Sequence, residues 1–180
     1  ILDTKKQSKT IVAESAKSLN MPYITERWPG GLLTNFSTIR KSIKKMNSID
    51  NMKQDGTFDT LSKREKLQID RTREKLELNF GSIENMNRIP EAIFVVDINK
   101  EHIAVAEANK LGMRSYAMVD TNTNPKLINF PIPANDDSTK SISKIMEIIS
   151  EAVAEGLSER SKTIEENAKI KQEKAKEILN

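Results

Sequence analysis

Residues 92–97 read Ala-Ile-Phe-Val-Val-Asp, a continuous apolar run closed by a carboxylate. Such a run predicts a strand buried on both faces, the condition of a parallel sheet covered by helices. Immediately downstream, Glu101 to Leu111 places Ile103, Ala104, Ala108 and Leu111 on one helical face before meeting Gly112. That spacing predicts a helix with a glycine stop. Arg114 to Asp120 repeats the apolar strand pattern. Strand, helix and strand with short links predict a right-handed parallel crossover. Asn122 to Pro125 reads as a turn, and Ile128 to Pro133 as a short edge strand whose prolines lack ladder donors. Asn135-Asp136-Asp137-Ser138 is placed to cap a longer helix carrying Ile142, Ile145, Met146, Ile149 and Val153. The pattern predicts an α/β fold with a doubly wound parallel sheet.

Upstream, Ile1-Leu2-Asp3 reads as the end of a strand, and Thr4 with Gln7 has capping-box spacing for a helix. Ile11, Val12, Ala16 and Leu19 face inward, Asn20 closes the helix, and 21–24 is an extended segment. A domain rarely starts at the tail of a strand, so further residues are expected before Ile1.

Between these α/β stretches the pattern changes. Phe36, Ile39, Ile43, Met46 and Ile49 follow helical spacing among Arg40, Lys41, Lys44 and Lys45. Asp55-Gly56 signals a turn, and a second helix starts at Ser62 with a capping box to Glu65. It carries Ile69, Leu76 and Phe80 at coiled-coil-like intervals and stops at Gly81. Two charged helices with narrow apolar stripes predict an antiparallel helical hairpin projecting from the sheet. Beyond Gly156 the residues turn to Glu, Lys and Ala, predicting an exposed helix or a tail.

Charge distribution carries the first functional signal. The 180 residues have a formal net charge of +3, yet Thr34 to Lys75 holds eleven Lys and Arg against six Asp and Glu. A basic hairpin can neutralise phosphates and release their counterions; alternatively it is a solvated helical face. With 37% hydrophobic and 4% aromatic residues, the core will be modest and aliphatic. The absence of cysteine excludes disulfides and Cys-based zinc sites within these residues. No apolar run approaches the roughly 18 residues of a membrane span. No secretory leader is visible in these residues, so a cytoplasmic location is expected.

Arg27-Trp28-Pro29-Gly30-Gly31 joins the only tryptophan to an arginine and a glycine pair. The indole or the planar guanidinium could stack on an unpaired base. For Trp28 we favour a plug between hairpin and sheet, and for Arg27 a contact role. Enzyme chemistry has little support. Asp97 and Asp120 end strands where open α/β sheets place ligand groups, and with Asp136 or Asp137 could hold magnesium. Helix capping is the stronger reading, because no phosphate-cradling glycine loop accompanies them. Lone His102 lacks a second histidine for a multi-histidine metal site.

Several motifs now stand in order: Thr4-Lys5-Lys6-Gln7, Met21-Pro22-Tyr23, residues 27–39 from Arg27-Trp28 to Thr38-Ile39, and Gly56-Thr57-Phe58. They continue with residues 90–97, Val119-Asp120-Thr121-Asn122 and Ile132-Pro133-Ala134-Asn135-Asp136-Asp137. The series resembles the bacterial form of the small-subunit ribosomal protein S-two family from Ile1 to about Gly156. Pro29 and Ala134 depart from the family's usual leucine and glycine. The resemblance implies a flavodoxin-like sheet with an inserted antiparallel coiled-coil hairpin, no catalytic residues, no cofactor, no metal and no small-molecule substrate. It also implies a position between head and body of the small subunit, touching small-subunit (16S) rRNA and other small-subunit proteins, and helping to dock ribosomal protein S-one in translation. The family's first strand and helix have no counterpart here, so a chain lacking them is expected to expose a sheet edge and not to stand alone. The division expected is a sheet domain at 1–33 and 81–157, a hairpin insertion at 34–80, and a charged helix or tail at 158–180. Candidate rRNA-facing residues are Lys5, Lys6, Lys9, Arg27, Trp28, Arg40, Lys41, Lys44 and Lys45, acting mainly through charge.

Overall fold

The apolar run at 92–97 forms strand β1 (Ala92–Val95) in a computed structural model that describes residues 1–178. It pairs in parallel with β2 (Arg114–Val119), and β2 pairs in parallel with β3 (Phe130–Pro133). Leu2 adds a single-residue parallel bridge to Val95 on one side and another to Ile24 on the other. The spatial order is therefore Ile24, Leu2, β1, β2, β3. β3 lies at the edge, where Pro131 and Pro133 need no second partner.

Alternation along the strands divides the core in two. Ile93, Val95 and Ala117 face one side with Ala104, Val105 and Ala108 of α4 (His102–Lys110). Phe94, Val96 and Met118 face the other, with Val12 of α1 (Lys9–Ser18) and Ile142 and Met146 of a long C-terminal helix, Thr139–Ile178. Helices thus cover both faces of a parallel sheet, as the sequence pattern predicts. Val95, Ala104, Ala117, Met118, Ile142 and Met146 are fully buried. At about 25 cal/mol per Å2 of apolar surface removed from water, these aliphatic side chains supply the main cohesion of the body.

The hairpin consists of α2 (Phe36–Gln54) and α3 (Lys63–Phe80), joined by a short turn at 57–60. Ion pairs fix its register: Arg73 meets Asp50 at 2.9 Å and Lys53 meets Asp70 at 2.6 Å. Positions fall along one helix as they rise along the other, so the two run antiparallel. Ile39 and Ile43 root α2 in the sheet core, whereas α3 buries no residue fully. Its start matches the sequence: Glu65 N donates to Ser62 Oγ, and Ser62 N donates to Glu65 Oε2 at 3.0 Å. Gly56 takes the left-handed φ of +78° that the Asp-Gly turn requires.

One local expectation changes at the start of α1. The Thr4–Gln7 capping box does not form: the Thr4 hydroxyl donates to Glu101, and α1 starts only at Lys9. A buried acceptor 97 residues away displaces a local one. The C-terminal helix, numbered α5, passes through Gly156 without a break. Glycine costs a helix about 1 kcal/mol relative to alanine, too little to stop it without a left-handed turn. At the α1 end, by contrast, Asn20 adopts φ +51° and Met21 N donates to Ala16 O at 2.9 Å, a closed C-terminus.

Candidate nucleic-acid interface

The loop 28–34 connects the sheet to the hairpin, and one carboxylate organises it. Glu107 projects from the inward face of α4 and is 8% exposed. Its Oε1 accepts from Trp28 Nε1 at 3.0 Å and Gly31 N at 2.7 Å. Its Oε2 accepts from Leu33 N at 3.0 Å, Thr34 N at 3.1 Å and Thr34 Oγ1 at 3.2 Å. Burial pushes this carboxyl up, but the donors from Trp28, Thr34, Gly31 and Leu33 outweigh it and hold its pKa below the usual glutamate value. Gly31, at φ +87°, lets the backbone turn its N–H toward the carboxylate. Trp28 is buried in the same core as Ile39 and Ile83, so it plugs the join between hairpin and sheet. Its ring is not available to stack on a base. The sequence held a signal for Glu107: it lies between Ala104 and Ala108 on the face that α4 buries, whereas Ile103 and Leu111, expected to face inward, are 43% and 45% exposed.

A second charged cluster sits at the carboxyl ends of the strands. Lys5 Nζ lies 3.0 Å from Asp97, 2.8 Å from Asp136 and 2.8 Å from Asp137. Burial opposes the lysine's charge, yet hydrogen bonds to Asp136, Asp137 and Asp97 raise its pKa above the ordinary value. Burial likewise pushes Asp136 up, against the pull of Lys5. Asp97 Oδ1 also accepts from Lys100 N at 3.1 Å, capping the turn that leads into α4. Asp120 accepts from Thr121 N at 2.6 Å and from Asp136 N at 3.4 Å, and the Thr121 bond holds its carboxyl below the ordinary range. Oxygens of Asp120, Asp136 and Asp137 lie within 4.8 Å of one another. The Lys5 ammonium is the counter-charge of this group, which stitches the start of the chain to the loop before α5. Lys5 therefore faces inward and does not present its charge to a partner.

The remaining candidates divide. Lys9 pairs with Glu26 at 2.9 Å. Arg40 donates to Met86 O at 3.1 Å and Asn87 Oδ1 at 2.6 Å, clasping the base of the hairpin. Lys6, Arg27, Lys41, Lys44 and Lys45 are exposed, and none has an acidic partner within 4.0 Å among the described residues. Lys41, Lys44 and Lys45, at i, i+3 and i+4, share one face of α2.

An α/β platform that matches Lys5 and Glu107 internally and carries exposed cations on its helical hairpin defines a scaffold class. Comparison with known proteins gives the family. Residues 1–156 match the family model described as Ribosomal protein S2. The small ribosomal subunit protein uS2 of Flavobacterium johnsoniae is 64% identical over 157 residues, covering 87% of this chain and 62% of that protein. That of Flavobacterium psychrophilum is 63% identical over 158 residues, 88% and 59% respectively. The Bacteroides thetaiotaomicron protein of the same name is 57% identical over 157 residues, 87% and 56%. The chain spans about three fifths of the length of these curated relatives. It belongs to the ribosomal protein S2 family, in its bacterial form.

Proposed function

We propose that this chain is part of a non-catalytic structural constituent of the small ribosomal subunit, binding 16S rRNA through exposed cations on a rigid α/β scaffold. The match to the S2 family over residues 1–156 carries the reading. The exposed Lys41, Lys44 and Lys45 on α2, with Lys6 and Arg27 near the sheet, support charge-based contact with the RNA backbone. Lys9 and Arg40 contribute through exposed faces of side chains already tied to Glu26 and Asn87. The order Ile24, Leu2, β1, β2, β3 corresponds to strand order 2-1-3-4-5, which supports a flavodoxin-like sheet. The hairpin at 34–80 then acts as a coiled-coil insertion in a sheet domain at 1–33 and 81–157. The charged segment at 158–180 extends from that domain, its residues 158–178 being the outer part of α5 and its last two lying outside the described residues.

In this reading the protein sits on the ribosome in the cytoplasm between head and body, beside other small-subunit proteins, and supports docking of ribosomal protein S-one. It needs neither a small-molecule substrate nor a membrane; no described helix is long and apolar enough to cross one. The test uses the full-length protein and small subunits depleted of it. Wild type is expected to rebind stoichiometrically. A Lys41→Gln, Lys44→Gln, Lys45→Gln variant should lower the slope of log K against log salt by about 2, at 0.7–0.9 per phosphate contact. Failure of the wild type to bind subunits would overturn the reading.

A further inference from the structure

The hairpin sorts its cations by partner. Those turned toward the opposite helix or the connecting turn are matched: Lys53 with Asp70, Lys66 with Asp59, and Arg73 with Asp50 and Glu77. Lys53 and Lys66 also flank the Phe58 ring at 5.2 and 5.6 Å, closing the tip. Arg64, Arg71 and Lys75 have no acidic partner within 4.0 Å among the described residues. All three line an open groove of about 640 Å3 on the outer side of α3, together with Leu67, Gln68 and Thr72. No carboxylate lines it.

We infer that this outer face of α3 is a second RNA-backbone contact, in which Arg64, Arg71 and Lys75 each take a phosphate and Gln68 hydrogen-bonds between them. The inference rests on the rRNA-binding reading above and adds a surface on the other helix of the hairpin. The three cations span eleven residues, about 16 Å along the helix at 1.5 Å per residue. A linear polyanion fits a linear row of charges, whereas a single acidic side chain would engage one. Arginine's planar fork suits bidentate contact with phosphate oxygens. Leu67, 52% exposed, sits in the same groove and offers apolar contact to a sugar face. With Lys41, Lys44 and Lys45 on α2, the hairpin then presents cations from both of its helices, and RNA is gripped along the projection rather than touched at one point.

The test uses full-length protein and depleted small subunits. An Arg64→Gln, Arg71→Gln, Lys75→Gln variant should lower the salt slope of rebinding by about 2–3. The charge-preserving Arg64→Lys, Arg71→Lys, Lys75→Arg variant should retain the wild-type slope. A hydroxyl-radical source tethered at Gln68→Cys should cleave rRNA in the assembled particle. If wild type rebinds and the α2 variant loses slope while the α3 variant does not, this inference is overturned and the proposed function stands. Crosslinking from Gln68→Cys to a neighbouring protein, without rRNA cleavage, would assign the groove to a protein partner and also overturn it. If wild type itself does not rebind, the underlying reading fails.

Discussion

The sheet body and the hairpin use the same charged residue types in opposite ways. In the body, Lys5 is 13% exposed and meets three aspartates, while buried Glu107 meets a ring of donors. On the hairpin, Lys41, Lys44 and Lys45 stand open to solvent. The difference follows from desolvation. A charge withdrawn from water costs several kcal/mol unless compensated, and Lys5 and Glu107 are each matched where the body draws them in. An exposed charge keeps its hydration and remains available to a polyanion. Inside, charge shapes the fold; outside, it stays free for the proposed RNA contact.

The sharpest way to break this contrast is to remove the internal cation. Lys5→Ala leaves Asp97 and Asp136 without their counter-charge, and the loss expected on urea unfolding is about 3–5 kcal/mol. A loss below about 1 kcal/mol would mean that the body does not depend on matched charge. Glu107→Gln comes next, at about 1–3 kcal/mol, because the amide turns an N–H toward loop donors. The carboxyl's pKa is held below the ordinary glutamate value in the folded state. Its contribution is therefore present above the unfolded value and lost as pH falls through the folded one. Stability curves of wild type and variant should converge in acid; a gap independent of pH would contradict the assignment. The smallest effect belongs to the hairpin. Arg73 and Asp50 are 33% and 34% exposed, so a double-mutant cycle should give a coupling of about 0.2–1 kcal/mol, weakening with salt. A coupling as large as that of Lys5 would erase the distinction between the two regions.

Much of this organisation was legible in the residues. The runs at 92–97 and 114–120, the helix between them and the proline-bearing edge strand form as their spacing predicts, because burial on both faces leaves few alternatives. The capping box at Ser62 forms because both partners lie within one turn. The one at Thr4 does not, because Glu101 competes from a distance that no local pattern encodes. For the candidate interface the same limit applied. Lys41, Lys44 and Lys45 were legible as an outward face. Lys5 looked equally basic, and only the fold brings Asp97, Asp136 and Asp137 to it. Arg40 reads as one more cation of its helix, yet it closes on Asn87, 47 residues away.

Leu2 occupies the middle of the sheet, with Leu2 N donating to Phe94 O at 2.8 Å and Val96 N donating to Leu2 O at 3.1 Å. A growing polypeptide must hold that leucine unpaired on this side until residue 96 emerges. At roughly 5–20 residues per second, the wait is about 5–20 s. The hairpin needs only near neighbours, so it is expected to assemble within this interval, ahead of the platform that carries it. Newborn chains would then meet their surroundings helices first.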